Sequence, residues 1–336
     1  MSVKIAINGF GRIGRPTFRR ILDNHPDLEV VAINDLTDNK TLAHLLKYDS
    51  VYRKYGKSVS FTEKSISVDG KEFPVFTEMD PEKLPWKELE VDVVLECTGR
   101  FTNLAGAKKH IKAGAKKVII SAPGKDPEIP GFVLGVNEEK FDPKKDEIMD
   151  MGSCTTNCLA PISKVLNDNF KIQKGFMTTI HSYTNDQRIL DLPHKDLRRT
   201  RAAALNIIPT TTGAAKAIGK IMPELDGKLD GISIRVPTPT VSILDLVVEV
   251  EKITSVEEIN NAFKKAAESQ KFQGILRAEE ELLVSTDYIG DTYSAIVDLE
   301  KTIVKGNLIK VLGWYDNEYG YACRLAEFAE YVGKKL

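Results

Sequence analysis

The chain has 336 residues, and its 47 Lys and Arg against 48 Asp and Glu give a formal net charge of −1. This balance excludes the broad basic field by which proteins recruit nucleic acid or an anionic membrane. No apolar run approaches the roughly 20 residues that span a bilayer, and the first residues lack the pattern of a signal peptide. We therefore expect a cytoplasmic protein of two domains, with no nucleic-acid or membrane partner.

The cysteines predict neither a disulfide framework nor a metal site. The four cysteines, Cys97, Cys154, Cys158 and Cys323, are too few for a framework in so long a chain. They also lack the paired C-x-x-C spacing of a zinc site, so we expect no bound metal.

A glycine-rich loop, Gly9-Phe-Gly11-Arg-Ile-Gly14, follows the first strand-like run and precedes a helical pattern over residues 15–24. Gly9 permits a tight turn, Gly11 lets the backbone approach a pyrophosphate, and Gly14 lets the helix pack on the strand. A pyrophosphate would then rest on the N-terminus of the helix. The alternative is a glycine-rich turn that binds no ligand.

The next strand pattern, residues 28–33, supports the nucleotide interpretation because it leads into Asp35. This acid follows Gly14 by about 20 positions, the spacing at which a carboxylate accepts hydrogen bonds from the adenosine ribose. A carboxylate there would also repel a 2′-phosphate. The sequence therefore favours NAD over NADP as the cofactor.

The remainder of the first half continues to alternate between strands and helices. Helices are predicted at 41–48 and 104–113, strands at 91–96, 117–121 and 132–136, and an insertion around 50–85 that contains an Asp69-Gly70 hairpin turn. Thr98 and Gly99 follow one of these strands, where a doubly wound sheet meets its ligand. We predict an α/β fold that begins with a Rossmann dinucleotide-binding domain over residues 1–152, completed by a C-terminal helix at 317–336.

The stretch Ser153-Cys-Thr-Thr-Asn-Cys158 comes directly before a helical run at 159–170. A thiol at a helix start is exposed to the positive end of the helix dipole, which favours a thiolate. Cys154 is therefore the candidate nucleophile. The alternative, that a free cysteine is a small buried hydrophobic residue, is the better interpretation for Cys97 and Cys158.

The second half has a different pattern. Strands are predicted at 175–182, 231–236, 241–250 and 306–314, and a helix at 255–269. Long strands with few crossovers predict an α+β catalytic domain over residues 153–316, with a mainly antiparallel sheet.

His181 ends the first of these strands and is the best partner for Cys154 among the five histidines. A thiolate–imidazolium pair would lower the pKa of the thiol and leave a proton donor beside the reacting carbon. The alternative is a histidine whose ring is satisfied by the backbone. Structural or solvated roles are expected for the others, which are His25, His44, His110 and His194.

Several side chains are suited to bind oxyanions. The hydroxyl and backbone donors are Ser153, Thr155, Thr184, Thr212 and the Gly213 N–H, and the guanidinium donors are Arg199 and Arg235. Arg235 lies among apolar neighbours, where an unpaired cation is costly; an internal ion pair is the alternative, and for Arg199 a solvated charge. A nicotinamide site, a thiol nucleophile and two anion sites together predict oxidation of a phosphorylated aldehyde, with inorganic phosphate resolving a thioester.

The chain resembles the phosphorylating glyceraldehyde-3-phosphate dehydrogenases over essentially its whole length. The segments that carry the resemblance are Ile7–Gly14, Ser153–Cys158, His181–Asp186, His194–Arg199, Asn206–Gly213, Arg235–Pro239 and Trp314–Gly320. The resemblance implies NAD-dependent oxidative phosphorylation of D-glyceraldehyde 3-phosphate to 1,3-bisphosphoglycerate, in glycolysis or gluconeogenesis. It also implies a homotetramer in which the loop at about 182–205 lines a neighbouring subunit's cofactor site.

The same resemblance implies a role for each candidate residue. Cys154 would be the nucleophile and His181 its activator and acid/base. The substrate phosphate would be held by Thr184, Arg199 and Arg235, and the inorganic phosphate by Ser153, Thr155, Thr212 and Gly213. The cofactor residues would be Gly9, Gly11, Gly14, Arg12 and Ile13 at the pyrophosphate, Asp35 at the ribose, Ser121, and Asn317 at the nicotinamide amide.

Two departures from the family pattern stand out. Asp150-Met151-Gly152 replaces the usual Ser-Asn-Ala before the nucleophile, and Met79 stands where many bacterial members carry an arginine near the adenine. We expect turnover to survive with altered thiol reactivity. Two alternatives stay open: erythrose-4-phosphate dehydrogenase on the same scaffold, and a catalytically silent binding or regulatory protein.

Overall fold

The computed structural model describes residues 2–336, which divide into two compact units. The first unit contains the described residues up to Phe132, then Glu139–Gly152 and Ala322–Leu336. The second contains Val133–Glu138 and Ser153–Tyr321. Each unit is built on its own large sheet.

The first unit has an eight-stranded sheet and a separate two-stranded ribbon. Its strands are β1 (Val3–Asn8), β2 (Leu28–Asn34), β3 (Tyr48–Asp49), β4 (Arg53–Lys54), β5 (Val59–Phe61), β6 (Ser65–Val68), β7 (Lys71–Phe76), β8 (Val93–Glu96), β9 (Lys117–Ile120) and β10 (Ile148–Asp150). Its helices are α1 (Gly14–Asn24), α2 (Asn39–Lys47) and α3 (Leu104–Lys112), together with most of the C-terminal helix. The ribbon consists of β3 and β4.

The strand order of the large sheet, β10-β9-β8-β1-β2-β7-β6-β5, confirms the predicted Rossmann arrangement. Pairing is parallel from β10 to β7, and β6 and β5 extend the sheet as an antiparallel hairpin. The chain runs outward from β1 through β2 in one direction, and later from β8 in the other. The carboxyl ends of β1 and β8 therefore form a topological switch point, the position at which such sheets bind ligands.

The second unit has a seven-stranded sheet in the order β12-β13-β11-β14-β17-β16-β15. Its strands are β11 (Ile172–Ser182), β12 (Ile208–Thr211), β13 (Leu229–Val236), β14 (Ser242–Val250), β15 (Leu276–Glu279), β16 (Ala295–Lys305) and β17 (Leu308–Tyr315). Its helices are α4 (Cys154–Phe170), α5 (Ala214–Ile221) and α6 (Val256–Ala267), and the first residues of α7 (Tyr319–Gly333) also belong to it. Only β11 with β13 and β15 with β16 pair in parallel, so the predicted mainly antiparallel sheet is confirmed.

Helix α4 packs on one face of this sheet and thereby fixes its own N-terminus. Leu159, Ile162 and Leu166 are fully buried in the core of the unit. On the opposite face of β11 and β13, Phe176 and Ile232 are exposed. One apolar face is therefore buried within the unit and the other is open in the single chain.

Three predicted elements differ from the structure. Residues 132–136 are not a strand, because the Val133 N–H donates to the Asn137 side chain at 2.8 Å and closes a turn. The strand predicted at 306–314 begins at Leu308, and Gly306-Asn307 forms the turn from β16. Helix α7 begins at Tyr319 rather than 317. Asp316 Oδ1 accepts the backbone N–H groups of Glu318 and Tyr319, each at 3.0 Å, and so forms a turn just before the helix.

Candidate active site

Ser153 caps helix α4. Its Oγ accepts a hydrogen bond from the Thr156 N–H at 3.1 Å, and Thr156 Oγ1 accepts one from the Ser153 N–H at 3.2 Å. This reciprocal capping box fixes the chain as it enters the helix. Cys154 is consequently the first helical residue, where unpaired backbone N–H groups and the helix dipole favour negative charge.

The Cys154 thiol faces the imidazole of His181 at the end of β11. Cys154 Sγ lies 3.4 Å from His181 Nε2. The parallel register between β11 and β13 places Arg235 directly opposite His181. Arg235 Nη1 lies 2.7 Å from His181 Nδ1 and 3.0 Å from Ser182 O. A thiol, an imidazole and a guanidinium are thus in contact in one row.

Burial disfavours the charged forms of both the thiol and the imidazole. Burial, followed by the charge of Arg235, lowers the pKa of His181 to about 3. Burial raises the pKa of the Cys154 thiol, and Arg235 and the Thr155 hydroxyl and N–H act in the opposite direction without overcoming it. Desolvation thus disfavours the charged form of each group, and the pKa of the thiol is raised rather than lowered as expected from the helix start.

The two contacts of His181 Nδ1 correspond to two tautomers. Nδ1 also lies 2.7 Å from Ser182 O, a contact that requires a proton on Nδ1. The Arg235 contact requires a lone pair at the same nitrogen, because a guanidinium only donates. When the proton is on Nδ1, Nε2 presents its lone pair to Cys154, and that tautomer can accept the thiol proton.

A buried tyrosine supports the thiol and the imidazole together. Tyr315 OH lies 2.9 Å from Thr155 Oγ1 and 2.7 Å from Thr179 Oγ1. Thr155 follows Cys154, and Thr179 lies two residues before His181. The Tyr315 hydroxyl therefore ties the start of α4 to the end of β11.

The hydroxyls on both sides of Cys154 are already engaged within the protein. Ser153 Oγ caps the helix, and the buried Thr155 hydroxyl bonds to Tyr315. A phosphate contact by either hydroxyl would replace or share these bonds. The sequence predicted both hydroxyls as phosphate donors, whereas in the structure both also have a structural role.

Arg235 has capacity left for an anion. Its Nε is buried and has no hydrogen-bond partner among residues 2–336. A buried donor without a partner is costly, and an anionic ligand would satisfy it. Among the predicted anion-binding residues, Arg235 carries the clearest structural indication of a ligand.

Arg199, by contrast, is held by the protein. It donates through Nη1 to Asp186, through Nε to Thr210 Oγ1 at 2.9 Å and through Nη2 to Thr211 O at 3.3 Å. Although burial of Asp186 acts against ionisation, the Arg199 hydrogen bond holds the pKa of that carboxyl below its usual value. Asp186 therefore positions Arg199, a role that the sequence analysis did not assign.

The remaining predicted anion donors lie in loops of the second unit. Thr184 follows β11, and its N–H donates to Gln187 Oε1 at 3.4 Å. Thr212 Oγ1 accepts the Ala214 N–H at 3.2 Å at the start of α5. Gly213 is exposed, and a side chain there would meet no atom within 4 Å, so its backbone is open to a ligand.

The first unit has a cavity of about 270 Å³ at its switch point, lined in part by Gly9, Gly11 and Asp35. A Cβ on Gly14 would lie 2.2 Å from Gly9 O, and one on Gly9 would lie 2.7 Å from Thr98 N. A Cβ on Gly11 would meet nothing within 4 Å. Two glycines are thus required by packing and the third leaves open space, which fits a pyrophosphate that approaches the backbone.

The other predicted cofactor residues of this unit surround the same loop. Asp35 accepts the Phe10 N–H at 2.7 Å and the Thr37 N–H at 2.9 Å, which orients its carboxylate at the cavity. Arg12 Nη1 pairs with Asp49 at 2.5 Å, so its side chain is drawn to that acid. Ile13 is the N-cap of α1.

Two further positions belong to the same part of the site. Ser121 follows β9 and donates its N–H to Glu96 O at 3.0 Å, but it does not line the cavity. Leu36 and Met79 do line it, and both are exposed. The methionine that departs from the family pattern is therefore at the cavity, as the resemblance implies.

Asn317 lies in the second unit with a fixed amide orientation. Its Oδ1 accepts hydrogen bonds from Ser182 Oγ at 2.7 Å and from Ser242 Oγ at 3.0 Å. With Oδ1 engaged by two hydroxyls, Nδ2 is the group that Asn317 can offer to a ligand. A donor at this position suits a ligand carbonyl, such as that of a carboxamide.

From residue 2 to residue 336, no helix is both long and apolar enough to cross a bilayer. Over the same range, no group of three or more His, Cys, Asp or Glu side chains is arranged to hold a metal ion.

The chain matches known proteins over both units. Residues 3–104 match the NAD binding domain of glyceraldehyde 3-phosphate dehydrogenase, and residues 153–317 match its C-terminal domain. The chain belongs to the glyceraldehyde 3-phosphate dehydrogenase family. Membership confirms the predicted fold class and NAD as the cofactor, and it makes the chain an NAD-dependent oxidoreductase.

Individual relatives in the glyceraldehyde 3-phosphate dehydrogenase family are similar throughout. The chain is 58% identical to the Geobacillus stearothermophilus enzyme over 336 residues, which are 100% of this chain and 99% of the relative. It is 58% identical to glyceraldehyde-3-phosphate dehydrogenase 1 of Bacillus cereus over 99% of both chains. It is 56% identical to glyceraldehyde-3-phosphate dehydrogenase 2 of Streptomyces avermitilis over 100% of both.

Residues that act through others were not recognised from the sequence. Asp186 orients Arg199, Tyr315 connects Thr155 to β11, and Ser182 with Ser242 orients Asn317. Asp186 and Tyr315 lie inside segments that carry the resemblance to the glyceraldehyde 3-phosphate dehydrogenase family, which is the signal that could have drawn attention to them. No local pattern marks Ser242, because its contact with Asn317 spans 75 residues.

Proposed function

We propose that the chain catalyses the NAD-dependent oxidative phosphorylation of D-glyceraldehyde 3-phosphate to 1,3-bisphosphoglycerate, with Cys154 as nucleophile and His181 as its acid/base. The observation that carries this proposal is the 3.4 Å contact between Cys154 Sγ and His181 Nε2 at the start of α4, with Arg235 opposite His181. Family membership supports the reaction class, and this contact supports the choice of Cys154 and His181 as the reacting groups.

The first step joins the thiol to the aldehyde. Cys154 Sγ bonds to the aldehyde carbon while the thiol proton passes to His181 Nε2, and His181 returns that proton to the former carbonyl oxygen. The product is a hemithioacetal. Arg235 is proposed to bind the substrate phosphate through its unpaired Nε side, and compensation of its charge would raise the basicity of His181 when it is needed.

Oxidation to the thioester requires the cofactor. When bound, it would supply the acceptor for the hydride that this oxidation removes. His181 takes the hydroxyl proton of the hemithioacetal in the same conversion, and Asn317 Nδ2 would hold the carboxamide carbonyl. The pyrophosphate would be held by Gly9, Gly11, Gly14, Arg12 and Ile13, and the ribose by Asp35. The resemblance implies Ser121 as a further cofactor residue.

Inorganic phosphate then resolves the thioester. An oxygen of phosphate bonds to the acyl carbon, the carbon–sulfur bond breaks, and the departing sulfur of Cys154 takes up the proton from His181. The proposed phosphate donors are Ser153, Thr155, Thr212 and Gly213. Thr184 and Arg199, the latter oriented by Asp186, would complete the substrate-phosphate site with Arg235.

The domain roles and the assembly are part of the same proposal. We assign cofactor binding to residues 1–152 with the C-terminal segment 317–336, which contains α7, and catalysis to residues 153–316. We also propose that the protein is cytoplasmic and that it forms a homotetramer. The assembly is supported by the exposed apolar residues of the second unit, which are numerous enough to form an interface. They are Phe176, Ile189, Leu190, Leu192, Leu197, Leu205, Ile207 and Ile232.

The test is NADH absorbance with saturating D-glyceraldehyde 3-phosphate, NAD and phosphate. Cys154→Ser should lower kcat by about 10⁴-fold or more, because a hydroxyl is a far weaker nucleophile and leaving group than a thiol. Cys158→Ala, one helical turn further along α4, is the matched control and should retain activity. An unchanged rate in Cys154→Ser would refute the proposal.

The same assay separates the alternatives. Faster, phosphate-independent turnover of erythrose 4-phosphate would favour that dehydrogenase. Absence of NADH formation in a folded protein that binds NAD would favour the silent binding protein.

A further inference from the structure

A fully buried carboxylate lies at the end of β8, behind the cavity of the first unit. Glu96 is only 1% exposed. Its Oε2 accepts Asn8 Nδ2 at 2.5 Å and His110 Nε2 at 3.0 Å, and its Oε1 accepts the Thr98 N–H at 2.8 Å and the Thr98 hydroxyl. A buried charge is costly unless donors surround it. The four donors that converge on Glu96 compensate this cost and hold the carboxylate in one position.

The protonation of this cluster is fixed by Trp86. The indole Nε1–H can only donate, and it donates to His110 Nδ1 at 3.0 Å. The His110 proton is therefore on Nε2, where it donates to Glu96. His110 is itself completely buried. Every group around the carboxylate is thus a donor, and only an acceptor at position 96 satisfies all of them.

The groups that Glu96 holds lie on both sides of the first glycine of the nucleotide loop. Asn8 precedes Gly9 in the chain, and a Cβ on Gly9 would lie 2.7 Å from Thr98 N. The Asn8 amide continues the network, because its Oδ1 accepts Asn34 Nδ2 at 2.7 Å. Asn8, Asn34 and Thr98 all line the cavity, whereas Glu96 and His110 do not.

The network reaches the far side of the cavity through Asn34. Its Nδ2 donates to Glu78 O at 2.9 Å, and its Oδ1 accepts the Glu78 N–H at 2.9 Å. Glu78 and the adjacent Met79 line the cavity. One connected set of hydrogen bonds therefore crosses the carboxyl ends of β8, β1, β2 and β7, beneath the space where a nucleotide would lie.

We propose that Glu96 is a positioning residue for the cofactor, which acts through Asn8 and Thr98 to shape the subsite for the adenosine diphosphate part of NAD. It does not touch the cofactor, and it takes no part in the thiol chemistry of the second unit. The inference rests on NAD as the ligand of this cavity, as in the proposed function.

Calorimetric titration of the full-length protein with NAD and with ADP-ribose tests the inference directly. Glu96→Gln places an amide N–H₂ against two fixed donors, so Asn8 or Thr98 must shift. We expect the Kd for both ligands to rise about tenfold, while kcat at saturating NAD and the rate of Cys154 alkylation stay within about twofold. ADP-ribose lacks nicotinamide, and an equal loss with both ligands assigns the effect to the adenosine side.

The matched control is the other Glu–His pair of the same unit. Glu330 Oε2 lies 2.6 Å from His25 Nδ1, and neither residue lines the cavity. Glu330→Gln makes the same chemical change and should leave both Kd values unchanged. Equal Kd values for Glu96→Gln and the wild type, or an equal rise in Glu330→Gln, would overturn the inference.

A second pair of variants keeps the test decisive if Glu96→Gln does not fold. His110→Gln can donate to Glu96 and accept from Trp86, so NAD affinity should stay near that of the wild type. His110→Leu can do neither, and its Kd should rise about tenfold. Equal affinity in these two variants, with folding checked by thermal melting without ligand, would refute the role of Glu96. A wild type that binds neither ligand would instead contradict the proposed function.

Discussion

Two of the buried histidines, one in each unit, have opposite surroundings. His110 in the first unit is bonded at both ring nitrogens by groups that match it, a carboxylate at Nε2 and an indole N–H at Nδ1. His181 in the second unit faces a thiol at Nε2, and at Nδ1 both a carbonyl and a guanidinium, which require different tautomers. The partners of His110 favour one tautomer, whereas those of His181 fit two tautomers with comparable geometry.

This difference separates a structural histidine from one that can move protons. A ring whose partners are all satisfied gains nothing by exchanging a proton, because any change leaves a buried group unpaired. A ring beside a thiol and a cation that an anionic ligand can compensate can change state when that ligand arrives. Burial alone therefore does not identify the reactive histidine; the mismatch among its partners does.

Among the tests of this comparison, the largest effect is expected for the reactive histidine. His181→Asn should lower kcat by about 10³-fold, because the acid/base for every proton transfer is lost. Steady-state kinetics at saturating substrates measure this, and the rate of Cys154 alkylation at pH 7 should fall in parallel.

The control for that substitution is His110→Gln, which preserves a donor and an acceptor at the structural histidine. Its kcat should remain within about twofold of the wild type. If His110→Gln reduced kcat as strongly as His181→Asn, the distinction between the two histidines would fail.

A second prediction concerns the pH dependence of stability. The unfolded chain protonates His181 near its ordinary pKa of about 6.5, whereas the folded chain does so only at about 3. Below pH 6.5 the unfolded state therefore binds more protons, and this site lowers the free energy of unfolding by about 1.4 kcal/mol per pH unit until pH 3.

Urea denaturation of the wild type and of His181→Asn at equal protein concentration measures the linkage. Between pH 6.5 and pH 5 the wild type should lose about 2 kcal/mol more than the variant, which has no imidazole at position 181. Parallel losses in the two proteins would mean that the ring is not held neutral in the folded chain.

Local patterns were sufficient to predict the elements that depend on nearest neighbours along the chain. The glycine loop, Asp35, and the thiol at the start of α4 each follow from short-range geometry, and the structure has the predicted strand–loop–helix and capped helix there. Residues 132–136 were wrongly predicted as a strand because their apolar pattern matches one, although a side-chain hydrogen bond from Asn137 turns the chain.

Contacts set by register and by distant partners could not be predicted. Arg235 faces His181 because β13 pairs with β11, a contact across 54 residues. Glu96 meets Asn8 across 88 residues, and His110 was expected to be merely structural or solvated without its partners being known. The protonation of Cys154 also escaped prediction, because desolvation depends on the whole fold and outweighs the local helix dipole.

The smallest expected effect concerns how the reactive pair is held in place. Tyr315→Phe removes the hydroxyl between Thr155 and Thr179 and leaves both threonine hydroxyls without that partner. We expect kcat to fall about three- to tenfold with little change in KM, since the reacting groups shift while the binding groups remain. Steady-state kinetics measure the separation of kcat from KM.

The control is Tyr288→Phe, the same change at another buried tyrosine of the second unit, whose ring stacks on Trp314. It should leave kcat unchanged. In a Thr155→Val background, Tyr315→Phe should cost less than in the wild type, because one of the two bonds is already absent. A cost that is the same in both backgrounds would show that the bond from Tyr315 to Thr155 contributes nothing to catalysis, and the link between the start of α4 and the end of β11 would then have to be explained by the backbone alone.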